Sequence, residues 1–102
     1  MSDLSKDLDP AIREILPKYI EIRRREQQEL YAALAAGDLE ALASMGHRIK
    51  GTGASFGLPR MTDLGRELQV AAREGDLEAC SGLLRAMDDL LDRAEKALSR
   101  EE

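Results

Sequence analysis

The chain contains no tryptophan and only three aromatic rings, Tyr19, Tyr31 and Phe56. A core must therefore come from Leu, Ile, Met and Ala, which suits packed helices better than sheets. β-Branched residues are few and no stretch alternates with a period of two, so the expected fold class is all-α. A single cysteine, Cys80, excludes an internal disulfide and fits a reducing compartment. Basic residues are outnumbered, 15 against 20 acidic, and the net charge of −5 argues against a nucleic-acid partner. No apolar run reaches membrane-spanning length. The opening MSDLSKDLDP has neither the basic nor the apolar region of a signal peptide. The expectation is a cytoplasmic chain with no membrane partner, unless it was cut from a larger membrane protein.

What is present is an ordinary globular balance, 43% hydrophobic and 34% charged over 102 residues, enough for one domain with a modest core. Residues 1–8 are polar and expected to fray; the domain is expected over residues 9–99. Asp9 and Pro10 read as N-cap and first helical residue. A short helix, AIREIL, meets Pro17, which either kinks it or opens the next helix, PKYIEIRRREQQELYAALAAG. That helix has apolar ends (Tyr19, Ile20, Ile22, then Leu30, Ala33, Leu34) around a polar middle. The run RRRE at 23–26 reads as a solvated face, and the pattern does not say which of Arg23, Glu26 or Gln27 turns inward.

The pentapeptide GDLEA occurs at 37–41 and again 38 residues later. Nothing beyond it stays in register, so a reused helix boundary is preferred to an internal repeat. Gly37 and Gly75 would end one helix, and Asp38 and Asp76 would cap the next. Glu40 and Glu78 would then suit the first-turn dipole. Between and after these signals, helices are expected at 39–56 (stopped by Gly57), 59–74 and 77–98. Met61, Leu64, Leu68 and Ala71 mark the second of these; Leu77, Cys80, Leu84, Met87, Leu91, Ala94 and Leu98 mark the third. The expected architecture is an antiparallel four-helix bundle with a short extra N-terminal helix.

The stretch HRIKGTGASFG holds the only histidine, His47, and three glycines. Each glycine inside a helix costs about 1 kcal/mol relative to alanine. The apolar stripe of this helix is Leu39, Leu42, Gly46, Ile49, Gly53 and Phe56, with Met45 at its edge. At about 100° per residue its centre lies roughly 140° from His47, so the histidine faces away from the core. Gly46 and Gly53 sit in the stripe, where small residues let helices approach closely. Gly51 and Ala54, four and seven residues on, share the histidine's face and leave its ring clear for another surface. Lys50, at i+3, flanks the ring with a positive charge.

An unobstructed imidazole beside an ammonium suits a nucleophile that carries an anion. A metal site fits less well, with no second histidine and no ligand-spaced set. A hydrolase triad and a phosphate loop also fit poorly, since no serine occupies a strand–turn–helix elbow and GTGASFG is not GxxxxGK[ST].

The same residues resemble the histidine phosphotransfer (HPt) family of phosphorelays, whose motif is close to H-x-[LI]-K-G-x-[small]-x-x-[apolar]-G. It is matched at His47, Ile49, Lys50, Gly51, Gly53, Phe56 and Gly57. The resemblance implies a four-helix bundle with an N-terminal helix, over the whole chain. His47 would carry a phosphoryl group accepted from a receiver-domain aspartate and passed to another receiver, and Lys50 would be its electrostatic partner. The run GLPRMTDLGRELQ is similar to one in some members, and implies that Gln69 orients the imidazole or bonds near Lys50; Arg66 and Arg73 are read as solvated charges. The implied partners are response-regulator receivers and a hybrid histidine kinase, with the chain a monomer. The only cofactor implied is Mg²⁺ on the receiver, none on this chain, which would have no ATP site and no kinase activity. Two departures stand out: Gly53 is more often Ser or Ala in the family, and Gly46 is usually Ala, substitutions that loosen the helix. A helical module that docks on a receiver or kinase without carrying phosphate is the alternative. The dimerising domain of a histidine kinase is a poorer one, since no dimerising hairpin or attached ATP domain is seen. Met1 and the charged tail lean towards a free-standing protein.

Overall fold

The computed structural model describes residues 10–100, leaving aside the side chain of Arg100. The expected frayed segment and the Asp9 cap lie outside the described residues. Four helices make up the described residues: α1 (Pro10–Ala36), α2 (Leu39–Thr52), α3 (Pro59–Arg73) and α4 (Leu77–Arg100), with a short 3-10 turn at Ala54–Phe56 after α2. Each packs on its neighbours in sequence and α4 returns to α1, closing a bundle. At 1.5 Å per residue the 27 residues of α1 span roughly 40 Å, matching the long axis of 41 Å.

The separate N-terminal helix does not occur, because α1 runs unbroken through Pro17. Proline inside a helix costs about 3 kcal/mol, and packing on both sides of it holds the helix together. Leu16, Tyr19 and Ile20 are buried, and the Tyr19 ring stacks on Phe56 at 4.5 Å between centroids and 6° between planes.

The RRRE run is not simply a solvated face. Arg23 is 1% exposed. Buried positions on α1 fall at Leu16, Ile20, Arg23, Gln27 and Leu30, alternating steps of four and three, which is the core seam of packed helices. Arg23 donates from Nη1 to Glu26 Oε1 at 2.9 Å and from Nη2 to Gln27 Oε1 at 2.6 Å. Gln27 in turn donates to Leu84 O and Asp88 Oδ1, both at 3.1 Å, and Tyr31 donates to Asp88 Oδ2 at 2.7 Å. Burial, reinforced by the Asp88 carboxylate, pushes the Tyr31 phenol up to about 12. Arg24 reaches Asp92 at 2.6 Å and pairs with Glu95, so α1 and α4 are joined by a polar seam. Ile22 (42% exposed) and Leu77 (38%), both expected to be apolar contacts, face outwards. Ile22 lies off the seam, and Leu77 sits in the first turn of α4, where the bundle ends.

The two GDLEA copies are the same device. Gly37 and Gly75 take positive φ, 66° and 75°, which glycine adopts without strain. The next N–H groups, of Asp38 and Asp76, bond back to Ala33 O and Ala71 O at 2.8 and 2.9 Å, closing each helix in a Schellman turn. The Asp38 and Asp76 carboxylates then accept from Ala41 N and Ala79 N at 3.0 and 2.9 Å, capping the helices that follow.

Candidate functional site

The site lies where α2 crosses α3, and that crossing is built on missing side chains. A Cβ on Gly46 would sit 2.9 Å from both Gln69 N and Gly65 O; one on Gly65 would sit 2.5 Å from Lys50 N. These are backbone atoms and cannot step aside, so the two helices touch main chain to main chain. Gly53 is confined in the same way, 2.5 Å from Thr62 N. Alanine or serine at 46 or 53 would collide here, so the two glycines tighten the α2–α3 contact. Gly65 and Thr62 escaped the sequence reading; the signal for Gly65 was a glycine in mid-helix with no turn to make.

α2 stops being α-helical at Thr52, four residues short of the expected end. The cause is Thr62, whose Oγ1 takes the Ala54 N–H at 2.9 Å, a donor that an α-helix would give to the carbonyl of Lys50. The chain tightens into the 3-10 turn, and Gly57, with φ at 84°, ends it. Ala54 is exposed but belongs to this turn, so seven-residue helical spacing no longer places it beside His47. Thr52 is held from below, with Tyr19 Oη 3.3 Å from its Oγ1.

His47 is exposed on the outer face of α2, with Lys50 half-buried beside it. Gln69, on α3, is only 8% exposed. Its amide reaches both: Nε2 lies 3.4 Å from His47 Nδ1, and Oε1 lies 3.5 Å from Lys50 Nζ. Nε2 of the ring has no partner among the described residues. Around Gly51 there is open space, nothing coming within 4 Å of a Cβ built there. Arg66 and Arg73 are exposed, Arg66 pairing with Asp63 at 3.2 Å.

Charge is segregated. From residue 41 to 62 the chain has no carboxylate, while His47, Arg48, Lys50 and Arg60 fall within it. The rest carries twelve Lys/Arg and twenty Asp/Glu, so the stretch that holds the histidine is locally cationic in an acidic chain, although Arg60 pairs with Glu67 on α3 at 3.1 Å. Among the described residues no group of His, Cys, Asp and Glu is placed to hold a metal ion, and no helix is long and apolar enough to cross a membrane.

A solvent-facing imidazole, held at one nitrogen on the face of a helical bundle, with the H-x-I-K-G run around it, can be set beside known families. The family model for the Hpt domain matches residues 14–97. The chain belongs to the Hpt domain family. Hpt domains are histidine phosphotransfer modules of two-component signalling, carriers rather than kinases, which work with receiver domains and kinases. Comparison with curated proteins and with solved structures gave no match. The match runs from the second turn of α1 nearly to the end of α4, so the Hpt assignment covers the whole bundle and not the histidine helix alone.

Proposed function

We propose that this Hpt domain carries a phosphoryl group on His47, taking it from the aspartate of one receiver and passing it to another in a phosphorelay. The observation that carries this reading is the exposed imidazole whose Nδ1 is held by the buried Gln69 amide, leaving Nε2 free towards a partner. Nε2 would attack phosphorus in line as the bond to the aspartyl oxygen breaks. Lys50 would offset the charge of the dianionic group on the ring, and Gln69 would fix the ring's direction. Gly51 and the exposed Ala54 would leave room for the receiver. Charge in the transition state would be met mainly by the receiver's own Mg²⁺ and lysine. The acyl phosphate already stores the energy, so no nucleotide is needed on this chain.

The test is to mix the protein with a panel of phosphorylated receivers and follow acid-labile phosphate by Phos-tag gel and intact mass, beside His47→Gln. Wild type should gain one phosphoryl group and the variant none. If wild type gains none from any receiver it binds, docking without transfer replaces the relay. Lys50→Ala should fold normally and transfer more slowly; unchanged kinetics would remove the role given to the lysine.

A further inference from the structure

The Gln69 amide is shared between two groups with different demands. An ammonium has only donors, so Lys50 can pair with the amide oxygen and never with its nitrogen. That is the arrangement found, Nζ facing Oε1 at 3.5 Å and the amide Nε2 facing His47 Nδ1 at 3.4 Å. Gln69 is buried and its side chain has no other polar partner among the described residues. While Lys50 holds the oxygen, the amide offers the ring its NH₂, and Nδ1 must accept. A neutral imidazole that accepts at Nδ1 keeps its proton on Nε2. The outward nitrogen then has no lone pair with which to attack.

Lys50 bonded to Gln69 and a nucleophilic Nε2 are therefore mutually exclusive. We propose that Lys50 and Gln69 form a tautomer gate, an inference that rests on the phosphotransfer reading for its purpose but not for its test. In the free protein Lys50 holds the amide so that Nε2 is protonated. A phosphoryl anion arriving over His47 draws the ammonium away, and the freed amide turns half a revolution about its terminal side-chain bond. Oε1 then faces Nδ1. The ring gives the Nε2 proton to water and takes one from water at Nδ1, with no net change in charge. Nε2 forms its bond to phosphorus as the bond to the receiver's carboxylate oxygen breaks, and that electron pair leaves with the carboxylate. The Nδ1–H stays on the amide oxygen, and the cationic ring faces the phosphoryl dianion. Lys50 thus serves as a positioning residue before transfer and as a charge partner during it.

His47 is the only histidine, so long-range ¹H–¹⁵N spectra of the imidazole report its tautomers without ambiguity, in the absence of receiver and phosphate. Spectra are recorded for wild type, Lys50→Met, Gln69→Leu and the double variant, at a pH where the ring is neutral, with circular dichroism confirming helicity. Lys50→Met should raise the ratio of Nδ1–H to Nε2–H about threefold or more, the worth of a modest hydrogen bond. In the Gln69→Leu background the same substitution should leave the ratio unchanged. No shift in Lys50→Met would overturn the gate. An equal shift in both backgrounds would also overturn it, by showing that the ammonium's field acts on the ring directly. Lys50→Ala provides a second variant should methionine disturb the packing. A failed transfer assay leaves these spectra interpretable, so the two readings fall separately.

Discussion

Replacing single glycines by alanine should split them sharply by position. Within a helix, glycine to alanine favours folding by about 1 kcal/mol where the methyl group meets nothing. Gly51 is such a place, so Gly51→Ala should stabilise the domain by roughly 0.5–1 kcal/mol. At Gly65 the same methyl carbon would lie 2.5 Å from Lys50 N and 2.8 Å from Gly46 O. Ordinary contact needs about another ångström, which only spreading α2 from α3 supplies. Overpacking costs about 1–3 kcal/mol, and a clash with main-chain atoms that cannot step aside belongs at the upper end, about 2–3 kcal/mol, so after the helix gain Gly65→Ala should lose about 1–2 kcal/mol. Gly46→Ala, with backbone contacts of 2.9 Å, should fall between the two. For a domain of this size 1 kcal/mol moves the melting point by about 4–8 °C, so Gly51→Ala and Gly65→Ala should melt on the order of 10 °C or more apart. Urea titrations with shared slopes, beside calorimetry, measure this. Should Gly65→Ala melt at or above wild type, or Gly51→Ala fall as far as Gly65→Ala, the crossing is not set by main-chain contact. The functional arm runs the other way: Gly51→Gln should keep the fold but slow transfer from a receiver, with far less effect on phosphorylation by a small donor such as phosphoramidate.

Arg23→Ala should cost about 3 kcal/mol or more by urea denaturation, since it leaves a cavity and strands Gln27 and Glu26; Arg23→Met, which refills the volume, should cost clearly less, and equal losses would refute the packing account. Burial raises both tyrosine phenols, Tyr31 to about 12, so near pH 10 the folded protein should show less tyrosinate absorbance than the unfolded chain. A group held protonated in the fold contributes stability that is complete below its unfolded pKa near ~10 and is lost as pH rises towards 12, so stability should fall over that window, and less in Tyr31→Phe. Raising ionic strength from ~0.01 to ~0.1 M shortens the screening length from about 30 to about 10 Å; the second-order rate of transfer should drop several-fold if the cationic stretch around His47 steers an acidic partner, while the first-order step within the complex stays constant. A salt-independent second-order rate would remove that steering.

The helix boundaries at the two GDLEA copies and the outward direction of His47 were legible because both depend on local chemistry. GDLEA carries its own turn glycine and its own cap, and a stripe of six residues suffices to point a seventh. Arg23 was not legible by composition, since an arginine among arginines reads as surface. Counting in alternating fours and threes from Leu16 to Leu30 would have placed it in the seam. The end of α2 could not be read from its own residues, because the hydroxyl that diverts the Ala54 N–H belongs to Thr62, on the next helix. Pro17 misled for the same reason: the local cost of a proline is plain in the sequence, while the packing of Tyr19 on Phe56 that outweighs it joins positions 37 residues apart.

Gln69 ties the stability of this bundle to its chemistry. Its backbone N and Cα would lie 2.9 and 3.3 Å from a Cβ on Gly46, while its side chain carries the amide that meets His47 and Lys50. The depth of the glycine contact therefore sets the reach of the amide. An alanine at 46 that pushed α3 outwards by even half an ångström would carry contacts of 3.4 and 3.5 Å beyond hydrogen-bond range, releasing the ring though no site side chain had changed. Loss of transfer in Gly46→Ala at a temperature where the protein is still folded is the expected sign. Two helices brought together without side chains between them thus give an exposed imidazole a fixed direction, which a loop on the same surface would not.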